Sequence, residues 1–318
     1  MTLKTSKHKA AWDRQWRGNL LSTCLLHADR EAGRAVVEGW AAFFSKLPEG
    51  AKILDAGTGN GFLALIALDV SDRLERNFEI HGSDYAAINP VAAVPEQGEL
   101  LKRIKFHPET RNEDLPFEDR TFDAVSAQHA LEYGGLAKSI EEISRILKKG
   151  GRVRFLIHAA DGEIVRANAP KIAQCRYVLE EARLFEIAEA AVEEALAGKG
   201  DEGRALRKAL SETAGNFKDD PNTRDLAELL GLLWGAFEGR ANFPDFAAFK
   251  TWLDQNRLET EAQMHRVEAM QKATLTRARA EALIAEMKSS GFKEVALRED
   301  QNPKTGAQTG WLVEGVRG

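Results

Sequence analysis

Apolar positions at 35, 36, 40, 43, 44 and 47 (Ala35, Val36, Trp40, Phe43, Phe44, Leu47) share one helical face, so the pattern predicts a helix over 31–47. Pro48-Glu49-Gly50 stops it. Short apolar runs and helical patterns then alternate. Strands are expected at 52–55, 78–82, 103–107, 121–127 and 152–158. Between them lie a glycine-rich turn with a helix over 57–70, a weakly patterned helix over 85–97, and a helix over 137–149 in which Ile140, Ile143, Ile146 and Leu147 line one side. Lys148 and Lys149 suit a helix C-terminus and Gly150 a left-handed cap. Such alternation builds a parallel sheet through right-handed crossovers.

After His158 the period changes. Helical patterns fill 171–197, 204–213, 223–238 and 244–253, and a long polar helix leads to Met287. Two apolar stripes in this region form the core of a helical domain: Leu226, Leu229, Leu230, Leu233, Trp234 and Phe237, then Phe243, Phe246, Phe249, Trp252 and Leu253. Some of these side chains are expected to wall a substrate pocket. The charge-rich stretch 259–279 reads as a solvated face, with Arg266, Arg277 and Arg279 available to an anionic substrate. Strand patterns return only at 294–299 and 310–316. The sequence thus predicts an α/β sheet domain over 1–158 and 280–318, with a helical cap over 159–279 inserted after strand five.

Composition narrows the classes. The 318 residues are 43% hydrophobic, enough for a sizeable core, and the net charge of -5 argues against binding dominated by nucleic-acid phosphates. Cys24 and Cys175 have no CxxC partner and read as buried thiols, without a zinc or disulfide framework. The start of the chain lacks the apolar stretch of a secretory signal, and no run is long enough to span a bilayer, so a cytoplasmic protein is expected. No spacing of His, Cys and carboxylates suggests a metal site.

The chemistry is concentrated at strand ends. Ile53-Leu54-Asp55-Ala56-Gly57-Thr58-Gly59-Asn60-Gly61 is a buried strand closing on an acid, followed by three alternate glycines before a helix. Such glycines let a ligand approach the backbone at a helix N-terminus, and Asp55 can take an ammonium group. A dinucleotide fingerprint would need glycine where Phe62 stands, which disfavours a nicotinamide or flavin enzyme. Ile80-His81-Gly82-Ser83-Asp84 ends the second strand on a carboxylate, at the place where a doubly wound sheet holds a ribose.

These segments resemble the class I S-adenosylmethionine-dependent methyltransferases, especially those with small-molecule acceptors. The resemblance extends to Asp114-Leu115-Pro116-Phe117 before the fourth strand and to Leu147-Lys148-Lys149-Gly150-Gly151-Arg152 at the fifth. It implies a Rossmann-like sheet of seven mostly parallel strands with an antiparallel last strand. It also implies S-adenosylmethionine as cofactor and S-adenosylhomocysteine as product. Asp55, Gly57, Thr58, Gly59, Asn60, Gly61, Asp84 and Tyr85 are the implied cofactor residues.

Where the family carries an adenine-contacting Asp, this chain has Arg111, which cannot accept that bond, leaving Asn112 or Glu113 to substitute. Gln128 and His129, just after strand four, are expected beside the methionine part. His129 and His158 are the candidate general bases. Trp12, with Trp16 and Arg17, is expected in an N-terminal helix that closes over the cofactor. The reading is methyl transfer to a small acceptor, without a membrane partner. An RNA or protein methyltransferase, a non-catalytic cofactor-binding protein, and a homodimer formed through the helices stay open.

Overall fold

The computed structural model describes residues 3–22, 30–199, 203–220 and 222–318; Cys24 lies outside them. The chain divides into two compact units, one of Trp12–Val165 with Ala269–Gly318 and one of Met1–Ala11 with Arg166–Glu268. Two helices run through the divisions, Leu3–Gln15 and Phe246–Ala273.

The larger unit is built on seven strands: β1 (Lys52–Ala56), β2 (Glu79–Ser83), β3 (Lys105–His107), β4 (Phe122–Gln128), β5 (Leu147–His158), β6 (Phe292–Gln301) and β7 (Gln308–Arg317). Their order is β3-β2-β1-β4-β5-β7-β6, and β7 runs antiparallel to both neighbours while β1 to β5 pair in parallel. The strand order reverses at β1 and β4, whose carboxyl ends therefore open a crevice for a ligand. Successive side chains of a strand face opposite ways, so Ile53 and Leu54 enter different cores. Ile53 and Ile80 pack with Trp40, Phe44, Leu63 and Ala67. Leu54, Val125 and Phe155 pack with Ile140, Ile143, Leu283 and Met287 on the other face.

Two elements depart from the sequence pattern for identifiable reasons. The helix Leu136–Ile146 ends before Lys148, because Leu147 already pairs with Phe122 as the first residue of β5. The register then jumps to Ala124 opposite Arg152, so Gly150, at φ 78°, turns an irregularity in the strand and not a helix cap. The long polar helix is likewise interrupted. Leu275 bridges to Ala159, its amide donates to His158 O (2.9 Å), and its carbonyl accepts from Ala160 N and the Trp311 indole (2.9 Å each). Thr276 then caps a new helix, Arg277–Ser289, through the Arg279 amide.

In the helical unit the two apolar stripes meet. Leu226, Leu233, Phe237, Phe249 and Leu253 are buried together with Leu184, Phe185 and Leu206. The helix expected over 171–197 is divided into Pro170–Arg176 and Leu184–Leu196 by a wide turn at Tyr177–Glu181 and by Arg183 in the left-handed region (φ 50°). Cys175 is buried there, which pushes its thiol up to about 12 and leaves it a poor nucleophile. The three arginines proposed for an anion have carboxylate partners: Arg266 with Glu259, Arg277 with Glu299, and Arg279 with Glu286. Among the described residues no helix is long and apolar enough to cross a membrane.

Candidate active site

The turn after β1 is shaped by its glycines. Gly57, Gly59 and Gly61 all have positive φ (73°, 53° and 89°), a region that side-chain-bearing residues adopt only with strain. The amides of Gly57 and Thr58 both donate to Ser83 O (2.8 and 2.9 Å), binding the turn to the end of β2. A Cβ on Gly57 would stand 2.2 Å from that of Ala130. Gly57→Ala is therefore expected to lower the unfolding free energy by about 2–5 kcal/mol, from backbone strain plus overpacking. Urea denaturation reads this directly, and an unshifted midpoint would refute the close approach.

Two buried acids flank the turn. Asp84 accepts the Gly59 amide on Oδ2 and the Ala86 amide on Oδ1 (2.8 Å each), so it organises the loop whose geometry it shares. Asp55 accepts Thr58 Oγ1 (2.7 Å) and Ser126 Oγ (3.2 Å). Burial outweighs these bonds and pushes its carboxyl up to about 7, with the nearby Asp84 adding to the rise.

A strap from the N-terminal segment crosses this cradle. The Trp16 ring lies where a Gly59 Cβ would come within 2.6 Å of it, and Asn60 Nδ2 donates to Gly18 O (3.3 Å) and Leu20 O (2.8 Å). Asn60 is fully buried, and its Oδ1 has no hydrogen-bond partner. Trp16, not Trp12, meets the glycine turn. Trp12 instead stacks on Trp16 (centroids 6.3 Å) and packs edge-on against Tyr133 (5.3 Å).

Asn112 and Glu113 sit at the tip of a turn closed by the Arg111–Asp114 bridge. Glu113 accepts the Gly135 amide (2.7 Å) and lies 3.5 Å from Arg111. Burial opposes its ionisation, but the Gly135 amide, its own backbone N–H and Arg111 together hold the carboxyl below its usual value. The Arg111 guanidinium stands over the Tyr85 ring (5.6 Å), and the Tyr85 hydroxyl is buried without a hydrogen-bond partner. Gln128 is turned to other work, since its side-chain carbonyl accepts the Trp40 indole N–H (2.7 Å).

His129, His158 and Glu132 converge at the carboxyl ends of β4 and β5. Gln128 pairs with Leu156, and the His129 amide donates to Leu156 O (2.7 Å) with φ at 53°, which turns the His129 ring onto that of His158 (centroids 3.9 Å, interplanar 26°). Glu132, in the single turn Leu131–Tyr133, reaches back: its Oε1 accepts the His158 amide (2.9 Å) and lies 2.8 Å from His158 Nδ1. All three residues are buried. Burial first, and then the neighbouring imidazole, keep His129 well below its ordinary pKa and hence neutral. The sequence reading named both histidines and missed Glu132, although the His-x-x-Glu spacing beside a strand end was available as a signal. It also missed Ser126, which lies beyond the motif at the middle of β4. No spacing along the chain suggests this cluster; pairing of β4 with β5 assembles it from His129, Glu132 and His158.

Residues 54–155 match the methyltransferase domain family. Uncharacterized methyltransferases of Mycobacterium bovis and Mycobacterium tuberculosis are each 28% identical over 121 residues, spanning 36% of this chain and 43% of theirs. The chain therefore aligns with less than half the length of these relatives. Among solved structures, a SAM-dependent methyltransferase from Aquifex aeolicus is 21% identical, covering 39% of this chain and 64% of its own, with a TM-score of 0.32. The citrinin polyketide synthase CMeT domain is 12% identical, covering 89% of this chain and 52% of its own, with a TM-score of 0.46. The family match spans the segment that holds the glycine turn, Asp84, His129 and Glu132, and stops before the helical unit.

Proposed function

We propose that the protein transfers the methyl group of S-adenosylmethionine to a small-molecule acceptor, releasing S-adenosylhomocysteine. The observation that carries this reading is the pair of buried acids around a glycine turn, within the segment that matches the methyltransferase domain. The donor set suits a cationic nucleoside. Asp84 offers a carboxylate to ribose hydroxyls, Asp55 offers one to an ammonium group, and Gly57, Thr58, Gly59, Asn60 and Gly61 form the turn between them. Tyr85 supplies a buried hydroxyl still in need of a partner. Trp16, with Trp12 behind it, excludes water from the turn.

When bound, the cofactor supplies a methyl group activated by positive sulfur, and the protein's share is alignment and proton handling. Glu132 holds the proton of His158 on Nδ1 and so leaves Nε2 as the basic atom that takes the acceptor's proton. The neutral His129 stacked on that ring adds no charge to oppose it. Asn112 is left as the side chain for the adenine edge, since Glu113 is tied to Gly135. The net charge of -5 supports a small acceptor over a nucleic acid.

Calorimetry with S-adenosylmethionine, followed by S-adenosylhomocysteine release against pooled hydroxyl, amine and carbon-acid metabolites, tests the proposal. His158→Ala is expected to lower kcat by about 100-fold or more. Glu132→Gln weakens the contact that positions the His158 ring, so kcat should fall in that variant as well. Absence of cofactor uptake, or undiminished turnover by His158→Ala, refutes it.

A further inference from the structure

We propose that His129, Glu132 and His158 form a binding site for one divalent transition-metal ion, which takes the place of the proton that the preceding reading assigns to His158. One candidate ligand atom from each residue lies within 4.8 Å of the others, and all three residues are buried. Both ring nitrogens of His129 and Oε2 of Glu132 are buried without hydrogen-bond partners. Native interiors rarely leave such atoms unsatisfied in one place, and a cation bound among them would satisfy Glu132 Oε2 and one ring nitrogen of His129. The donor chemistry is that of two imidazoles and one carboxylate, a set that suits Zn²⁺ and its first-row neighbours and not Ca²⁺ or Mg²⁺.

The supporting shell is also present. A ligating carboxylate is normally held by a further hydrogen bond, and Glu132 Oε1 already accepts the His158 amide (2.9 Å). His129 Nδ1 lies 4.0 Å from Glu132 Oε1. Zinc–nitrogen bonds of roughly 2.0–2.1 Å put tetrahedral ligand atoms about 3.3 Å apart, so small rotations of the side chains close the set. Three protein ligands leave a fourth position open. Because the ion would bind through the lone pairs that otherwise accept a proton, the loaded protein should transfer methyl groups more slowly than the ion-free protein.

The test of binding needs neither acceptor nor cofactor, so it stands apart from the methyltransferase reading. Protein freed of metal by chelator and dialysed is titrated with Zn²⁺ in a calorimeter and with Co²⁺ in a spectrophotometer. One equivalent of Zn²⁺ should bind with micromolar or tighter affinity, and Co²⁺ should show ligand-field bands of a site with nitrogen ligands. His129→Ala should weaken Zn²⁺ binding at least 30-fold, whereas His265→Ala, on the helix Phe246–Ala273, should leave it unchanged. Lack of stoichiometric uptake by the unaltered protein, which requires no variant to fold, overturns the proposal. So does undiminished uptake by His129→Ala. Full transfer activity in the loaded protein would overturn the competition with the proton.

Discussion

Asp55→Asn should melt at a higher temperature than the unaltered protein at pH 8 and bind S-adenosylmethionine about 10- to 100-fold more weakly, the loss of one hydrogen bond to a charged group. The two effects share one cause. Burial pushes the Asp55 carboxyl up to about 7, from an ordinary value of 3.8, despite the bonds from Thr58 and Ser126. Between about pH 4 and pH 7 the folded protein therefore holds a proton that the unfolded chain has released. Stability should fall across that window as pH rises and level off above it. Asparagine cannot ionise, so the variant should match the unaltered protein near pH 4 and exceed it at pH 8. Cofactor affinity of the unaltered protein should move the other way, rising through pH 7 as the carboxylate forms. Thermal unfolding and calorimetry at pH 5, 7 and 8 measure both trends; equal affinity in the variant would remove Asp55 from the site.

Asp84→Ala is expected to abolish measurable cofactor binding, a loss exceeding 100-fold, and to destabilise the protein as well. It strips the acceptor from the Gly59 and Ala86 amides, each of which costs about 1–3 kcal/mol when left buried and unsatisfied. The glycine turn would lose its anchor at the moment the ribose loses its acceptor. Asp84→Asn separates the two contributions. Its single side-chain oxygen can serve one amide while its NH₂ opposes the other, so binding should fall to an intermediate level with the fold retained. A variant that is destabilised yet binds normally would leave Asp84 a purely structural role.

What could be read from the chain depended on whether a residue's partner was near in sequence. The glycine turn and Asp84 were legible because strand, turn and helix are local, and because three alternate glycines have few other uses. The seven strands were all found, and the central parallel pair β1 and β4 most readily, since buried parallel strands are short apolar runs. Gly150 was misplaced because its turn belongs to a register jump opposite Phe122 and Ala124, which no local pattern encodes. The interruption at Leu275 was missed for the same reason, as its partners Ala159 and Trp311 are distant. Arg183 breaks a helix without glycine or proline to announce it. Glu132 acquires its meaning only when β4 and β5 pair and bring His158 against it. Trp16 and Asn60 are joined by a strap whose path is a tertiary matter.

The bridge between Ala159 and Leu275 has an evolutionary consequence. The residues at which the chain leaves the sheet and rejoins it are hydrogen-bonded neighbours, so the segment between them begins and ends at one point of the sheet. Helices of a different length or composition can be exchanged there without shifting the pairing of β5 with β7. Changes of length within that segment should therefore leave the acid-bearing strand ends where they are.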